Sequence, residues 1–512
     1  MLLAPGARAA SVQRLARTRA NGPDVPQIGL VTVTPAAGRS VADTLGALRA
    51  LPGVASAQSE HRLSLRATPD DPALTTPETT PGTAPGTPLE WWPVREGFPR
   101  AWSHTRGMGA RVGIIDTGVD AGHPELRGKI AAAVDRDETA GHGPATIDEM
   151  GHGTHVSSLA CAATDDGVTL AGAGWGCRIV IVKSDLTDGS IAASIVDAVD
   201  HGARAINMSF GDDSRAPTPA AIEKAISYAV GHNVVLVAAA ADENTTEQGY
   251  PANALQPAGT GPDLARGLGL SVTAADHTDA RASFAGRGSE ISLAAYGTYD
   301  STDSALSPSP PAGPVGLFGA FPRARTEIES DPLFPCGCRI GSSPYAYLAG
   351  TSMAAPQVTA TAALVRTLNP DLTAAQVVRL LKATARRAAG AGWGPELGWG
   401  ILDAGAALDA AARMDRRPPR VRVQVRRRSG GFLLRYSGSD AAPRGVRRAG
   451  LRSVAFFART DGGRSRRLAV RADRRPVTFR ARRGRSYAFY ALGTDRAGNR
   501  QRRPTFTLRA RG

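Results

Sequence analysis

The sequence predicts an α/β protein: a parallel sheet flanked by helices, preceded by a small α+β unit and followed by a β-sandwich. Three observations carry this. Between residues 89 and 412, short continuous apolar runs alternate with helical patterns, as strands buried on both faces of a parallel sheet require. From 418 to 512 the pattern changes to two-residue alternation parted by Gly, Asp and Ser, the signature of antiparallel strands. A Pro/Thr-rich stretch, residues 69–88, divides the central block from what precedes it and is expected to be an extended linker. At 512 residues the chain is too long for one ordinary core, so two or three domains are expected.

In order, residues 1–27 are expected to be disordered. Their apolar run is broken by Pro5 and Arg8 before it reaches the length of a signal-peptide core, so the given start is expected to lie downstream of the true one. Residues 28–68 read strand, helix, strand, with Ser40 as N-cap of the helix. In the central block "RVGIIDTG" at 111, "RIVIVKSD" at 178, "RAINMSFG" at 204 and "NVVLVAAAAD" at 233 are the buried strands. A Pro/Gly-rich insert from residue 301 is expected to be a surface excursion. "GTSMAAPQVTATAALVRTLNP" then opens on small residues and runs as a helix until Asn369-Pro370 stops it.

The formal net charge of +15 is unevenly spread. From residue 411 onward there are 30 arginines, no lysine and 5 aspartates, or +25, which leaves −10 for residues 1–410. These arginines are scattered among strand-like segments without a compact run of stacking aromatics. A solvated positive surface is therefore expected, and no specific nucleic acid. No stretch reaches the roughly 18 to 20 apolar residues of a membrane span. Of the four cysteines, Cys336 and Cys338 are one residue apart, where zinc ribbons use two or more. A disulfide reading joins Cys161 to Cys177, with a second bridge or cross-pairing at Cys336 and Cys338, and fits an exported protein; free thiols stay open.

Three weak local features gain meaning together. Asp116 stands at the carboxyl end of a strand, His152 at the start of a helix between glycines, and Ser352 at the start of another helix. A serine there would ordinarily be an N-cap, a strand-end Asp before Gly a turn residue, and two histidines at i and i+3 a metal pair, although the Glu of a zinc-protease helix is missing. A hydroxyl nucleophile, however, needs a base to take its proton and a carboxylate to orient that base. Element termini above an α/β sheet are where such groups gather.

On "IIDTGVDAGHPEL", "GHGTHV", "INMSFG" and "GTSMAAP" the chain resembles the subtilisin-like serine peptidases, over roughly residues 89–412. The resemblance implies a serine endopeptidase working through an acyl-enzyme, with Asp116, His152 and Ser352 as its triad, and Ser209, Phe210 and Gly211 as a strand that binds polypeptide substrates. It implies that residues 28–68 correspond to the second half of a propeptide, the protein's own inhibitor, and hence a secreted zymogen, expected to be monomeric. No cofactor is needed for the chemistry. Glu125 and Asp166 stand where the family places ligands of a structural calcium ion. The C-terminal "YAFYALGTDRAGNRQ" resembles Ig-like or fibronectin-like domains.

One position departs from the family. Asp242 replaces the asparagine that donates a hydrogen bond to the oxyanion, a donor whose loss costs on the order of 10²- to 10³-fold in kcat. Three ways out are open: a protonated Asp242, donation from Asn244, or the backbone donor at Ser352 alone. With a protonated Asp242, activity would occupy a narrow, acid-shifted window. The rival reading is a catalytically impaired scaffold that serves in binding.

Overall fold

The computed structural model describes residues 1–16, 18–20, 25–59, 69–212, 216–300, 313–330, 338–414, 417–440, 450–495, 499–504 and 508–511. The chain forms two compact units, Met1–Arg66 and Ala67–Gly512.

The second unit is built on a seven-stranded sheet: β1 (Arg111–Asp116), β2 (Ile130–Arg136), β3 (Arg178–Ser184), β4 (Ala205–Met208), β5 (Val235–Ala239), β6 (Leu270–Ala275) and β7 (Leu293–Tyr296). Its order is β7-β6-β5-β4-β1-β3-β2, with every neighbouring pair parallel. Alternate residues of one strand serve opposite cores. Ile114 shares one core with Val358 and Leu364 of helix α4 (Thr351–Leu368), whereas Ile115 shares the other with Ile191 and Ile195 of α2 (Asp188–Asp200) and Ile222 of α3 (Ala220–Gly231). This two-sided burial is why the strands are continuously apolar, and each such side chain contributes roughly 1.5–3 kcal/mol. No helix among the described residues is long and apolar enough to cross a membrane.

Three expectations need correction. Residues 1–16 are not without structure: Leu2–Leu3 pairs with Val54–Ser56, and the helix Ala9–Ala16 buries Val12 and Ala16, one turn apart, against Leu48 and Ala57. Residues 69–88 are not a free linker. Asp71, Ala73 and Leu74 are buried, the Ala84 N–H donates to Tyr299 Oη at 3.1 Å, and Tyr347 Oη donates to Glu78. The insert is in part core: β8 (Leu317–Ala320) pairs antiparallel with β9 (Tyr345–Leu348), and Leu317, Ala320 and Phe321 are fully buried. Residues 301–312 and 331–337 of that insert lie outside the described residues.

The C-terminal strands are β10 (Arg420–Arg428), β11 (Gly431–Ser439), β12 (Leu451–Thr460), β13 (Arg466–Arg471), β14 (Val477–Arg480), β15 (Ser486–Asp495) and β16 (Leu508–Arg511). They form two antiparallel sheets, β10-β11-β14 and β13-β12-β15-β16. Val421, Phe432 and Leu434 of the first share a core with Val454, Phe456 and Phe489 of the second, as in a sandwich.

Candidate active site

Strand β1 ends on Asp116, and helix α1 (His152–Cys161) starts on His152. His152 Nδ1 lies 2.7 Å from Asp116 Oδ1, which also accepts the Thr117 N–H at 2.8 Å. With Nδ1 as donor, Nε2 is left as the proton acceptor. The approach is close enough that a Cβ on Gly153 would come within 2.2 Å of Gly118 O, so only glycine fits there. Burial disfavours the imidazolium, but the charge and hydrogen bond of Asp116, with Asp148 and Asp242 behind them, outweigh it and raise His152 above the usual histidine range.

Asp148 ties the two loops together. It accepts from Thr117 Oγ1 at 2.8 Å, from the N–H groups of Gly151 and Thr154 at 2.8 Å each, and from Thr154 Oγ1 at 2.6 Å. His155 is no partner of His152 in a metal pair. It is buried, its Nε2 bonds to Leu317 O at 3.0 Å, and burial holds its pKa at about 3, so it is neutral.

Ser352 is the second residue of α4, in the turn where a helix leaves its N–H groups without intrahelical acceptors. Its Oγ donates to Ser209 O at 3.1 Å, and Ser209 Oγ donates to Ser352 O at 2.8 Å. Behind them Asn207 Nδ2 donates to Ser209 Oγ at 2.8 Å, and Thr359 Oγ1 donates to Asn207 Oδ1 at 3.1 Å. Asn207, Ser209 and Thr359 are all buried, so this chain of bonds fixes the Ser352 peptide from within the core. Rotation of the Ser352 hydroxyl off Ser209 O is required before it can meet His152 Nε2.

Asp242 acts as an acceptor: its Oδ1 receives the Thr351 N–H at 2.7 Å. A Cβ on Gly350, whose φ is 151°, would lie 3.0 Å from Asp242 Oδ2. The alternative donor is corrected. Asn244 Oδ1 accepts from Arg281 Nη2 and Arg287 Nε, both at 3.1 Å, and these two guanidiniums hold the side chain in a surface loop. Asn244 is not among the residues that line the cleft, a cavity of about 370 Å³ bounded by Asp116, His152, Phe210, Asp242, Ile328 and Ser352. Gly211 adjoins the backbone pairing of the Asp212 N–H with Tyr250 O at 3.0 Å.

The two residues singled out for calcium, Glu125 and Asp166, carry hydrogen bonds of their own. Glu125 Oε1 accepts from the N–H groups of Thr169 (3.0 Å) and Leu170 (3.2 Å) and from Tyr345 Oη (2.8 Å), while Oε2 is buried without a partner. Asp166 Oδ1 accepts the Val168 N–H at 3.0 Å within its own turn. Burial lifts Glu125 to about 7, against the hydrogen bonds of Tyr345, Thr169 and Leu170. Among the described residues no cluster of three or more His, Cys, Asp or Glu gathers around a point. The Cys161–Cys177 disulfide is present with Cα atoms 5.7 Å apart; Cys336, and with it any bridge to Cys338, lies outside the described residues.

Asp148, Asn207 and Thr359 escaped the sequence reading. The available signal was polarity out of place: one Asn inside the strand Ala205–Met208 and hydroxyls along an otherwise apolar helix.

The sequence profile of the subtilase family matches residues 107–400. Thermitase of Thermoactinomyces vulgaris is 28% identical over 302 residues, covering 57% of this chain and 87% of that protein. The thermophilic serine proteinase of Bacillus sp. (strain AK1) is 31% identical over 270 residues, 52% of this chain and 54% of that protein. An extracellular protease of Xanthomonas campestris pv. campestris is 30% identical over 443 residues, 78% and 66% respectively. The chain thus spans between about half and nine-tenths of the length of these relatives. A solved protease of Pseudoalteromonas arctica superposes with a TM-score of 0.52 at 26% identity, over 65% of this chain and all of that one. The profile match alone takes in more than half of the chain, which belongs to the subtilase family.

Proposed function

We propose that the chain is a serine endopeptidase. The observation that carries the reading is the 2.7 Å bond between His152 Nδ1 and Asp116, beside a serine on the same cleft wall. Ser352 Oγ attacks the scissile carbonyl carbon as its proton passes to His152 Nε2, and Asp116 stabilises the imidazolium. The Ser352 N–H and the positive end of α4 face the oxyanion. Collapse expels the amine, protonated by His152, and leaves an acyl group on Ser352. Water, deprotonated by the same imidazole, then releases the acid. The substrate lies as an added strand along Ser209, Phe210 and Gly211.

The same reading makes the protein an exported zymogen. Its support is the disulfide, which persists in oxidising compartments, the relative named an extracellular protease, and the resemblance of residues 28–68 to half of a propeptide. A second reading, an impaired scaffold, is favoured by Asp242 standing as an acceptor where a donor is needed.

Labelling with a fluorophosphonate from pH 5 to 9, followed by peptide mass spectrometry, tests both. An adduct on Ser352, absent in Ser352→Ala, with casein hydrolysis lost by at least about 10⁴-fold in that variant, supports the peptidase. No adduct at any pH, in folded protein freed of its N-terminal unit, sinks it in favour of the scaffold.

A further inference from the structure

The excess of positive charge has an ordered form that only the strand register reveals. In β10 the side chains of Val421 and Val423 turn into the sandwich, so Arg420, Arg422, Gln424, Arg426 and Arg428 share the outer face, and all are exposed. Gln424, the one uncharged residue of that row, stands opposite Arg435 of β11, and Gly431, opposite Arg428, pairs on its other side with Arg480 of β14. The row spans about 27 Å at roughly 6.8 Å between alternate residues. Strands β10, β11 and β14 contain no Asp or Glu, and none of these six arginines forms an ion pair among the described residues.

The row also continues beyond the sheet. Arg420 borders a cavity of about 700 Å³ with Arg502 and Arg503, and Arg502 in turn borders a cleft of about 1280 Å³ with Arg379, Arg452 and Arg500. That cleft separates the sandwich from the start of the helix Ala374–Thr384. One exposed carboxylate, Asp371, meets Arg502 there at 3.8 Å.

We propose that this arginine row is a docking track for a linear acidic polysaccharide whose carboxylates are held by guanidinium forks. The forks suit it, because arginine pairs bidentately with carboxylate oxygens in a way that lysine does not. The shape suits it too: a line of charges one strand wide matches a linear polymer. The face lacks what other polyanions need. Phe432, Tyr436 and Phe479 point inward and pack on aromatics of the opposite sheet, so no ring is offered to stack a base. Leu433, half-buried, is the one large apolar residue on the face, too little to enter a membrane. The track is independent of the peptidase chemistry.

The test measures binding of the full chain to polygalacturonate at fixed low salt, with duplex DNA and vesicles of anionic phospholipid as parallel probes. The fourfold variant Arg422→Gln, Arg426→Gln, Arg428→Gln, Arg435→Gln is compared with Arg464→Gln, Arg466→Gln, Arg467→Gln, Arg474→Gln, which removes the same charge from exposed positions off the row. The track variant is expected to bind polygalacturonate at least about tenfold more weakly and the control variant less than about threefold. The single variant Arg426→Gln, exposed and unpaired, repeats the comparison at smaller amplitude should the fourfold variant fold poorly. Equal losses in the two fourfold variants would mean bulk charge and overturn the track. Failure of wild type to bind polygalacturonate, or tighter row-dependent binding of DNA or vesicles, would overturn the polysaccharide.

Discussion

The two halves of the cleft are built on opposite principles. In the Asp116–His152 half, donors are matched to acceptors: Asp116 Oδ1 takes the imidazole N–H, and Asp148 takes four donors from Thr117, Gly151 and Thr154. In the Ser352 half an acceptor, Asp242, occupies the place of the donor, and the Thr351 N–H turns toward it. On the proposed reading the acid–base pair of the first half is assembled, while stabilisation of the oxyanion rests on backbone groups and the helix terminus. In a serine peptidase proton transfer and charge stabilisation are separable parts of one reaction, and on the proposed reading Asp242 bears chiefly on the second.

The strongest way to break that contrast is Asp242→Asn. It returns a donor and removes a negative charge, so kcat is expected to rise by roughly 10²- to 10³-fold. The pH profile should move as well. The peptidase needs neutral imidazole, so kcat/KM falls as pH drops through the pKa of His152, which Asp242 helps to raise. Without that charge the pKa falls, and the acid limb shifts to lower pH. A variant no faster than wild type, with an unmoved limb, would show the two halves to be equally competent.

A second prediction sharpens the contrast by asking what braces each half. Helix α1 begins at His152 and ends at Cys161, whose bridge to Cys177 closes a separation of 16 residues. Replacing both cysteines by alanine is expected to cost about 3 kcal/mol in urea unfolding. The acid limb of kcat/KM should stay in place, because Asp148 and Asp116 still hold the His152 end. A displaced limb would mean that the bridge itself sets the imidazole.

How much of this could be read in the sequence follows from where the partners lie along the chain. The sheet was legible because each strand declares two-sided burial by itself, as "IVIVKS" does in β3. Asp116, His152 and Ser352 stood out because each sits at an element terminus within two residues of a glycine. Asn207 was not, because its partner Thr359 is 152 residues away and only the packing of α4 on β4 brings them together. The burial of residues 69–88 was hidden for the same reason, since Ala84 meets Tyr299 across 215 residues. In β8, four residues of Leu317–Ala320 inside a Pro/Gly-rich context were too few to show a period. The arginines could be counted from sequence, but their alignment into a row required the pairing of β10 with β11.

The smallest effect expected comes from the network behind the nucleophile. Asn207→Ala removes the donor to Ser209 Oγ, while Ser209 keeps its own bond to Ser352 O and the Thr359 hydroxyl turns to Ala355 O, 3.0 Å away. The stability cost should be about 1–2 kcal/mol, the range for one buried hydrogen bond. If the network positions Ser352, kcat falls several-fold with KM unchanged, and Thr359→Ser, which keeps the hydroxyl, behaves as wild type. A loss of stability with kcat intact would reduce the network to core packing. The nucleophile's placement would then rest on the α4 terminus alone, and the Ser352 half would depend on a single helix end for both its position and its charge stabilisation.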